Sequence, residues 1–182
     1  HMTLGIFTRQ LFLVLLISLL TSIMENIYGG ANAASTLGNI NIDITGGIIS
    51  ESIFGGANGE NSIVQGDQTG ESNPAKVKGN INLKLDSVNA KNIYGGGNLG
   101  YSEKSVNVNA KNINISESIY GGANASRVKE NTYLYVSGGN ISGSVYAGGN
   151  GVLAIVEGNT NLDIDNNANI LNHVFGGGNA AQ

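Results

Sequence analysis

Ile119-Tyr120-Gly121-Gly122-Ala123-Asn124 repeats one pattern: an aliphatic residue, an aromatic ring, three small residues, then asparagine. Five more copies stand in the chain: Ile27-Tyr28-Gly29-Gly30-Ala31-Asn32, Ile53-Phe54-Gly55-Gly56-Ala57-Asn58, Ile93-Tyr94-Gly95-Gly96-Gly97-Asn98, Val145-Tyr146-Ala147-Gly148-Gly149-Asn150 and Val174-Phe175-Gly176-Gly177-Gly178-Asn179. Their rings are 26, 40, 26, 26 and 29 residues apart in the chain. A recurring period of this size marks a repeat architecture, in which a single unit cannot bury its own apolar face and stacked neighbours bury it together.

Two further segments recur with each of these hooks. One alternates strictly: Asn39-Ile40-Asn41-Ile42-Asp43-Ile44, Asn80-Ile81-Asn82-Leu83-Lys84-Leu85, Ser105-Val106-Asn107-Val108-Asn109-Ala110, Asn131-Thr132-Tyr133-Leu134-Tyr135-Val136 and Asn159-Thr160-Asn161-Leu162-Asp163-Ile164. Period-two alternation is that of a strand with its aliphatic residues on one face and Asn, Asp, Lys or Tyr on the other. The second segment is short and precedes the next hook, as in Ile113-Asn114-Ile115 and Gly139-Asn140-Ile141-Ser142. Gly and Asn between segments supply the positive φ of tight corners. Three short strands and three corners in about 26 residues make one coil of a parallel β-solenoid, an all-β fold. Five such coils at the strand spacing of about 4.8 Å give a rod of about 24 Å.

In such a rod equivalent residues stack on themselves. Tyr28, Phe54, Tyr94, Tyr120, Tyr146 and Phe175 are expected in one internal column. Asn32, Asn58, Asn98, Asn124, Asn150 and Asn179 are expected to form an internal ladder whose amides satisfy one another. The 40-residue spacing predicts a loop ejected from one coil over residues 59–79, a polar stretch holding the only proline, Pro74. The solenoid domain itself is expected to span 26–182.

Residues 1–25 read differently. Leu11 to Ile17 is an unbroken apolar run, and Ser18, Thr21, Ser22 and Glu25 follow at helical spacing. This predicts an N-terminal apolar helix. Three roles stay open for it: a cap over the first coil, an uncleaved signal peptide, or a membrane contact through residues 11–24. At the other end the chain runs out at Asn179-Ala180-Ala181-Gln182, just after a hook, and that coil is expected to stack on another chain.

Composition narrows the function. The chain has 182 residues, a net charge of −4 and 12% charged residues, with no basic stripe to neutralise phosphates. A nucleic-acid partner is therefore disfavoured. Its 28 Gly and 27 Asn would suit a low-complexity chain, but the apolar alternation supplies a buried face. There is no Cys, and the only Arg are Arg9 and Arg127. His1 and His173 are the only imidazoles, so no metal-ligating or catalytic cluster is evident and no cofactor is expected. The reading is of a protein that is not an enzyme. Asn closes every hook where a calcium-binding repeat would carry Asp. Tyr133 and Tyr135 are the exception on the outward strand face, and with Tyr101 they are candidate contacts for a carbohydrate or a partner protein.

The stretch Val136-Ser137-Gly138-Gly139-Asn140-Ile141-Ser142-Gly143-Ser144-Val145-Tyr146-Ala147-Gly148-Gly149-Asn150 resembles the Gly-Gly-x-Ile-x-Gly-x-Val-Tyr-Gly-Gly-Gly-Asn repeats of adhesin-like β-strand-repeat proteins of bacterial surfaces. The resemblance covers roughly residues 26 to 182. It implies an extracellular or cell-surface location and a structural or adhesive role. Two functions are carried forward. One is a non-enzymatic structural solenoid that self-associates end to end as a fibre, stalk or adhesin unit. The alternative is a module that binds carbohydrate or ice through its outward strand face or the 59–79 loop.

Overall fold

The computed structural model describes residues 13–17 (backbone course only), 22–59, 75–165 and 167–180. They wind into a parallel β-solenoid of about five turns. The alternating segments form β4 (Ile40–Thr45), β7 (Ile81–Asp86), β10 (Val106–Ile115), β12 (Thr132–Ile141) and β14 (Thr160–Asp165). The short segments are β5 (Ile48–Ile49), β8 (Asn89–Ala90) and β15 (Asn169–Ile170). In β10 and β12 the two segments run together into one ten-residue strand, so both belong to a single long sheet. The hooks form a second sheet of six strands, β3 (Ile27–Tyr28), β6 (Ser52–Phe54), β9 (Asn92–Tyr94), β11 (Ile119–Tyr120), β13 (Val145–Tyr146) and β16 (Val174–Phe175). A third side is closed by single bridges through Thr36, Val77, Ser102, Val128 and Val156.

Register is identical-on-identical. Ile40 pairs with Ile81, Ile81 with Val106, Val106 with Thr132, and Thr132 with Thr160. The aliphatic side chains of these rows fill the interior, with Ile40, Ile44, Ile81, Leu85, Ile93, Ile113, Ile119 and Val136 fully buried. The corner inside the long sheet needs a left-handed residue. Gly46, Ser87, Asn112 and Gly138 occupy it at φ of 70°, 57°, 51° and 70°. Gly and Asn tolerate that conformation best.

The interior is narrow. In each hook the aliphatic residue points in, the ring points out and the next residue points in again. A Cβ on Gly95 would lie 2.3 Å from the carbonyl oxygen of Gly121 and 2.7 Å from methyls of Val106 and Val108. Only glycine fits there. Ala147 takes the equivalent position in a later hook, and its carbonyl accepts from the Thr132 hydroxyl at 2.7 Å. Thr160 likewise donates to the Gly176 carbonyl at 2.6 Å.

The rings do not lie inside with the aliphatic residues. They form their own column on the outer side of the hook sheet, because the strand alternation that sends Ile93 inward sends Tyr94 out. Consecutive ring centroids from Tyr28 to Phe175 are 4.8 to 5.0 Å apart, with planes within 10°. The column covers itself: Phe54, Tyr94 and Tyr120 are buried by their neighbours, while the terminal Phe175 is 42% exposed.

Among the described residues there is no helix, and the expected N-terminal helix is corrected accordingly. Leu13–Ile17 is a strand, β1, pairing parallel with β4 from Leu13↔Ile40 to Ile17↔Ile44. β2 (Ser22–Ile23) pairs with β5 in the same way. These residues belong to the solenoid and not to a separate domain. A short apolar run suits a strand as well as a helix, and the unpaired edge of β4 decides between them by offering backbone partners. Residues 1–12 and 18–21 lie outside the described residues.

The irregular spacings also resolve. Of the 59–79 segment, Ala75 and Val77 are buried in the coil and Val77 bridges Thr36 and Ser102. Residues 60–74 lie outside the described residues. The extra length therefore falls between Gly59 and Ala75, where other coils pass from Asn98 to Ser102 or from Asn124 to Val128. The 29-residue spacing comes from a longer corner between Asn150 and Val156 and from a further residue between Asp165 and Asn169.

Tyr120 lies between two parallel rings and is 6% exposed. Its replacement by Ala is expected to cost about 3–5 kcal/mol, whereas Phe175→Ala at the open end is expected to cost less than about half of that. Urea unfolding of the two variants checks the difference; equal losses would mean that stacking contributes little.

Candidate binding face

The hook asparagines form a continuous ladder. Asn58 donates its amide to Asn32 at 2.6 Å, and Asn98, Asn124, Asn150 and Asn179 each donate to the preceding member at 2.9 to 3.0 Å. The ladder runs along a corner and is half-buried rather than internal, with Asn32 exposed. Each interior Asn is donor and acceptor at once, a role that Ala and Asp cannot fill. The geometry is that of a structural seam.

The outward face of the long sheet is more varied. One row runs Asn41, Asn82, Asn107, Tyr133, Asn161, and the next runs Asp43, Lys84, Asn109, Tyr135, Asp163. Asn82 donates to Asn41 and Asn107 donates to Asn82, both at 2.9 Å. This ladder stops at Tyr133, which has no amide to continue it. Lys84 pairs with Asp43 at 3.0 Å across one coil step. Asn109 and Asp163 make no side-chain hydrogen bond among the described residues.

An open depression of about 360 Å³ lies over this face, bordered by Lys84, Asn107, Asn109, Tyr133, Tyr135 and Asp163. Tyr133 is 43% exposed. Its hydroxyl accepts from the Asn131 amide at 3.3 Å, toward the start of the strand. Tyr135 donates to Asp165 at 2.9 Å, toward its other end. The two hydroxyls are thus anchored in opposite directions along the strand, and the rings splay apart.

Tyr101 sits elsewhere. It is 6% exposed on the side that carries Val77 and Ser102, with Lys76 5.9 Å from its ring centre. It does not border the depression. Sequence reasoning missed Lys84, Asn109 and Asp163 as neighbours of the tyrosines, although their common register was readable in the aligned alternating segments. It also missed another asparagine row: Asn140 donates to Asn114 at 3.0 Å and Asn169 to Asn140 at 3.1 Å. Asparagine stands at that position in four consecutive coils, Asn89, Asn114, Asn140 and Asn169, with Ile48 in the coil before them, and this was the available signal.

Charges pair between coils. Lys91 lies 3.4 Å from Glu51 and 3.7 Å from Glu117; Lys104 lies 2.7 Å from Glu130, and Arg127 3.2 Å from Glu157. Hydrogen bonding and attraction to Glu51, then Glu117, raise the Lys91 ammonium pKa. Lys104 holds the Glu130 carboxyl below its usual range. All are solvent-exposed pairs of small energetic weight. Among the described residues no group of three His, Asp or Glu side chains converges on a metal position. No helix of the described residues is long and apolar enough to cross a membrane. Comparison with protein-family models, with curated proteins and with solved structures finds no match.

Burial is the main cause that pushes the Tyr94 phenol up to about 12, with the neighbouring Tyr120 next in weight. Burial also raises Tyr120 and Tyr28 above the ordinary 10.0. A phenol whose folded pKa is raised stabilises the fold fully below the unfolded pKa, and that contribution is lost as pH rises through the folded value. Stability is therefore expected to fall from about pH 10 to about 12, with Tyr94→Phe flattening the upper part of the decline. Ultraviolet titration of tyrosinate alongside urea unfolding tests this. Separately, Asn98→Ala removes an acceptor and a donor from the middle of the seam and is expected to cost about 1–3 kcal/mol, again read by urea unfolding.

Proposed function

We propose that this chain is a non-enzymatic structural solenoid, of the adhesin-like surface type its repeats resemble, which extends a rod by joining coil to coil. The observation that carries this reading is the last described coil. β14, β15 and β16 pair on one side only among the described residues. Val174 is 49% exposed, although the Val145 beneath it is fully buried. That edge has backbone groups at strand spacing, an open aromatic face at Phe175 and an aliphatic Val174 that a further coil, of the same chain or of another, would cover. Unpaired edges of this kind template added strands. A net charge of −4 opposes such contact weakly. Extracellular or cell-surface placement belongs to the same proposal and rests on the repeat resemblance.

A second reading has its own observation. The depression between Tyr133 and Tyr135 fits a module that binds carbohydrate. It favours carbohydrate over ice, because two splayed rings and a Lys–Asp pair break the flat, uniform rows that an ice plane would require.

Sedimentation velocity tests the first reading. The chain is expected to form rods that lengthen with concentration, and the double variant Leu171→Lys, Val174→Lys is expected to remain a discrete particle with unchanged circular dichroism. A chain that stays monomeric at all concentrations would overturn end-to-end assembly.

A further inference from the structure

We infer that the groove between Tyr133 and Tyr135 is a binding site for a neutral oligosaccharide of equatorial-hydroxyl sugars, one ring of which is held between the two tyrosines. This deepens the carbohydrate reading and is independent of end-to-end assembly.

Residues two apart on a parallel strand stand about 6.6 Å apart on the same face. Carbon atoms make contact at about 3.5–4.0 Å, so a ring-shaped ligand between two aromatic faces needs about 7–8 Å, slightly more than the strand spacing, and divergence of the two rings supplies the difference. The anchors of the two hydroxyls hold the slot open. Tyr133 is tied back to Asn131 and Tyr135 is tied forward to Asp165. Left unanchored, two neighbouring aromatic side chains would fall together and close the gap.

The ligand must present an apolar surface on both faces and polar groups around its rim. A pyranose whose hydroxyls are all equatorial does so: its C–H bonds point up and down and its hydroxyls point outward. Aromatic faces attract such C–H surfaces through the same quadrupole that organises aromatic pairs. A flat aromatic ligand has the faces but not the rim.

The rim of the groove is polar and unspent. Asn107 has given its amide N–H to Asn82 and keeps an oxygen that no asparagine above it takes up, because Tyr133 stands in that place. Asn109 and Asp163 have no side-chain hydrogen-bond partner among the described residues. Lys84 and Asp163 put one positive and one negative charge at opposite ends, which suits an uncharged ligand better than an acidic or basic one. A volume of about 360 Å³ lies in the range of small-ligand sites. The groove runs along the rod, across coils at strand spacing, so a linear chain of sugars can lie in it with neighbouring units over Asn109 and Asp163.

The probe is a β-1,4-linked glucose tetramer, titrated by calorimetry, with the β-1,4-linked mannose tetramer as its counterpart. Mannose carries one axial hydroxyl, which spoils one apolar face. Saturable binding of the glucose tetramer is expected, weakened at least about tenfold for the mannose tetramer, a difference of about 1.4 kcal/mol. Tyr133→Ala and Tyr135→Ala are each expected to abolish measurable binding, and Asn109→Ala to weaken it several-fold. Tyr133 is exposed, so its variant keeps the fold, and circular dichroism verifies this. The titrations are repeated on the Leu171→Lys, Val174→Lys variant, where binding should persist because the groove lies within one chain. Absence of saturable binding, equal affinity for both tetramers, or binding unchanged in Tyr133→Ala would overturn the proposal.

Discussion

The two walls of this solenoid stand so close at the hook that five of its six inward positions are glycine and the sixth is Ala147. Between Gly95 and the Val106–Val108 strand there is no room for a methyl group. Much follows from that. The small residue must come directly after the ring, since alternation returns the chain inward there. The ring must then face out, because the interior has no space for it. Six outward rings at one coil spacing have only one another to shelter against, and so they stack. The interior left behind takes aliphatic residues of nearly constant size.

Identical register then decides the polar chemistry. An asparagine above an asparagine completes two amides at once, and a lysine above an aspartate forms a pair at the same spacing. The face remains quiet wherever the row is uniform. It becomes chemically open where a coil breaks its row. Tyr133 ends the ladder of Asn41, Asn82 and Asn107, and the unspent groups gather beside it.

Most of the fold was legible because repetition multiplies weak signals. One alternating segment is ambiguous, but five aligned ones define strand, face and register together. The hook pattern likewise implied the ring column and the amide ladder. Which side of the wall the rings occupy was not legible, because ring size and wall separation meet only in three dimensions. Leu13–Ile17 was misread for a related reason. Its pattern is apolar without period, and the edge of β4 that recruits it is a property of the coil and not of the segment. Tyr133 and Tyr135 stood out as exceptions within the aligned rows. Their partners in the groove emerge only when four coils are laid side by side, and Tyr101, far from them on another side of the coil, shares only its residue type.

The amide ladders have a direction. In all three, the N–H of each asparagine points to the carbonyl of the coil before it, never the coil after. Every link therefore adds a small dipole of the same sign, while the backbone bonds between coils point both ways and largely cancel. The rod has an electrical polarity, with an acceptor left at Asn179 on its late end. Two late ends brought face to face would set acceptor against acceptor. A late end meeting an early end keeps the direction of the hook ladder. Units joined so as to keep that direction would form a one-way row and not a symmetric pair.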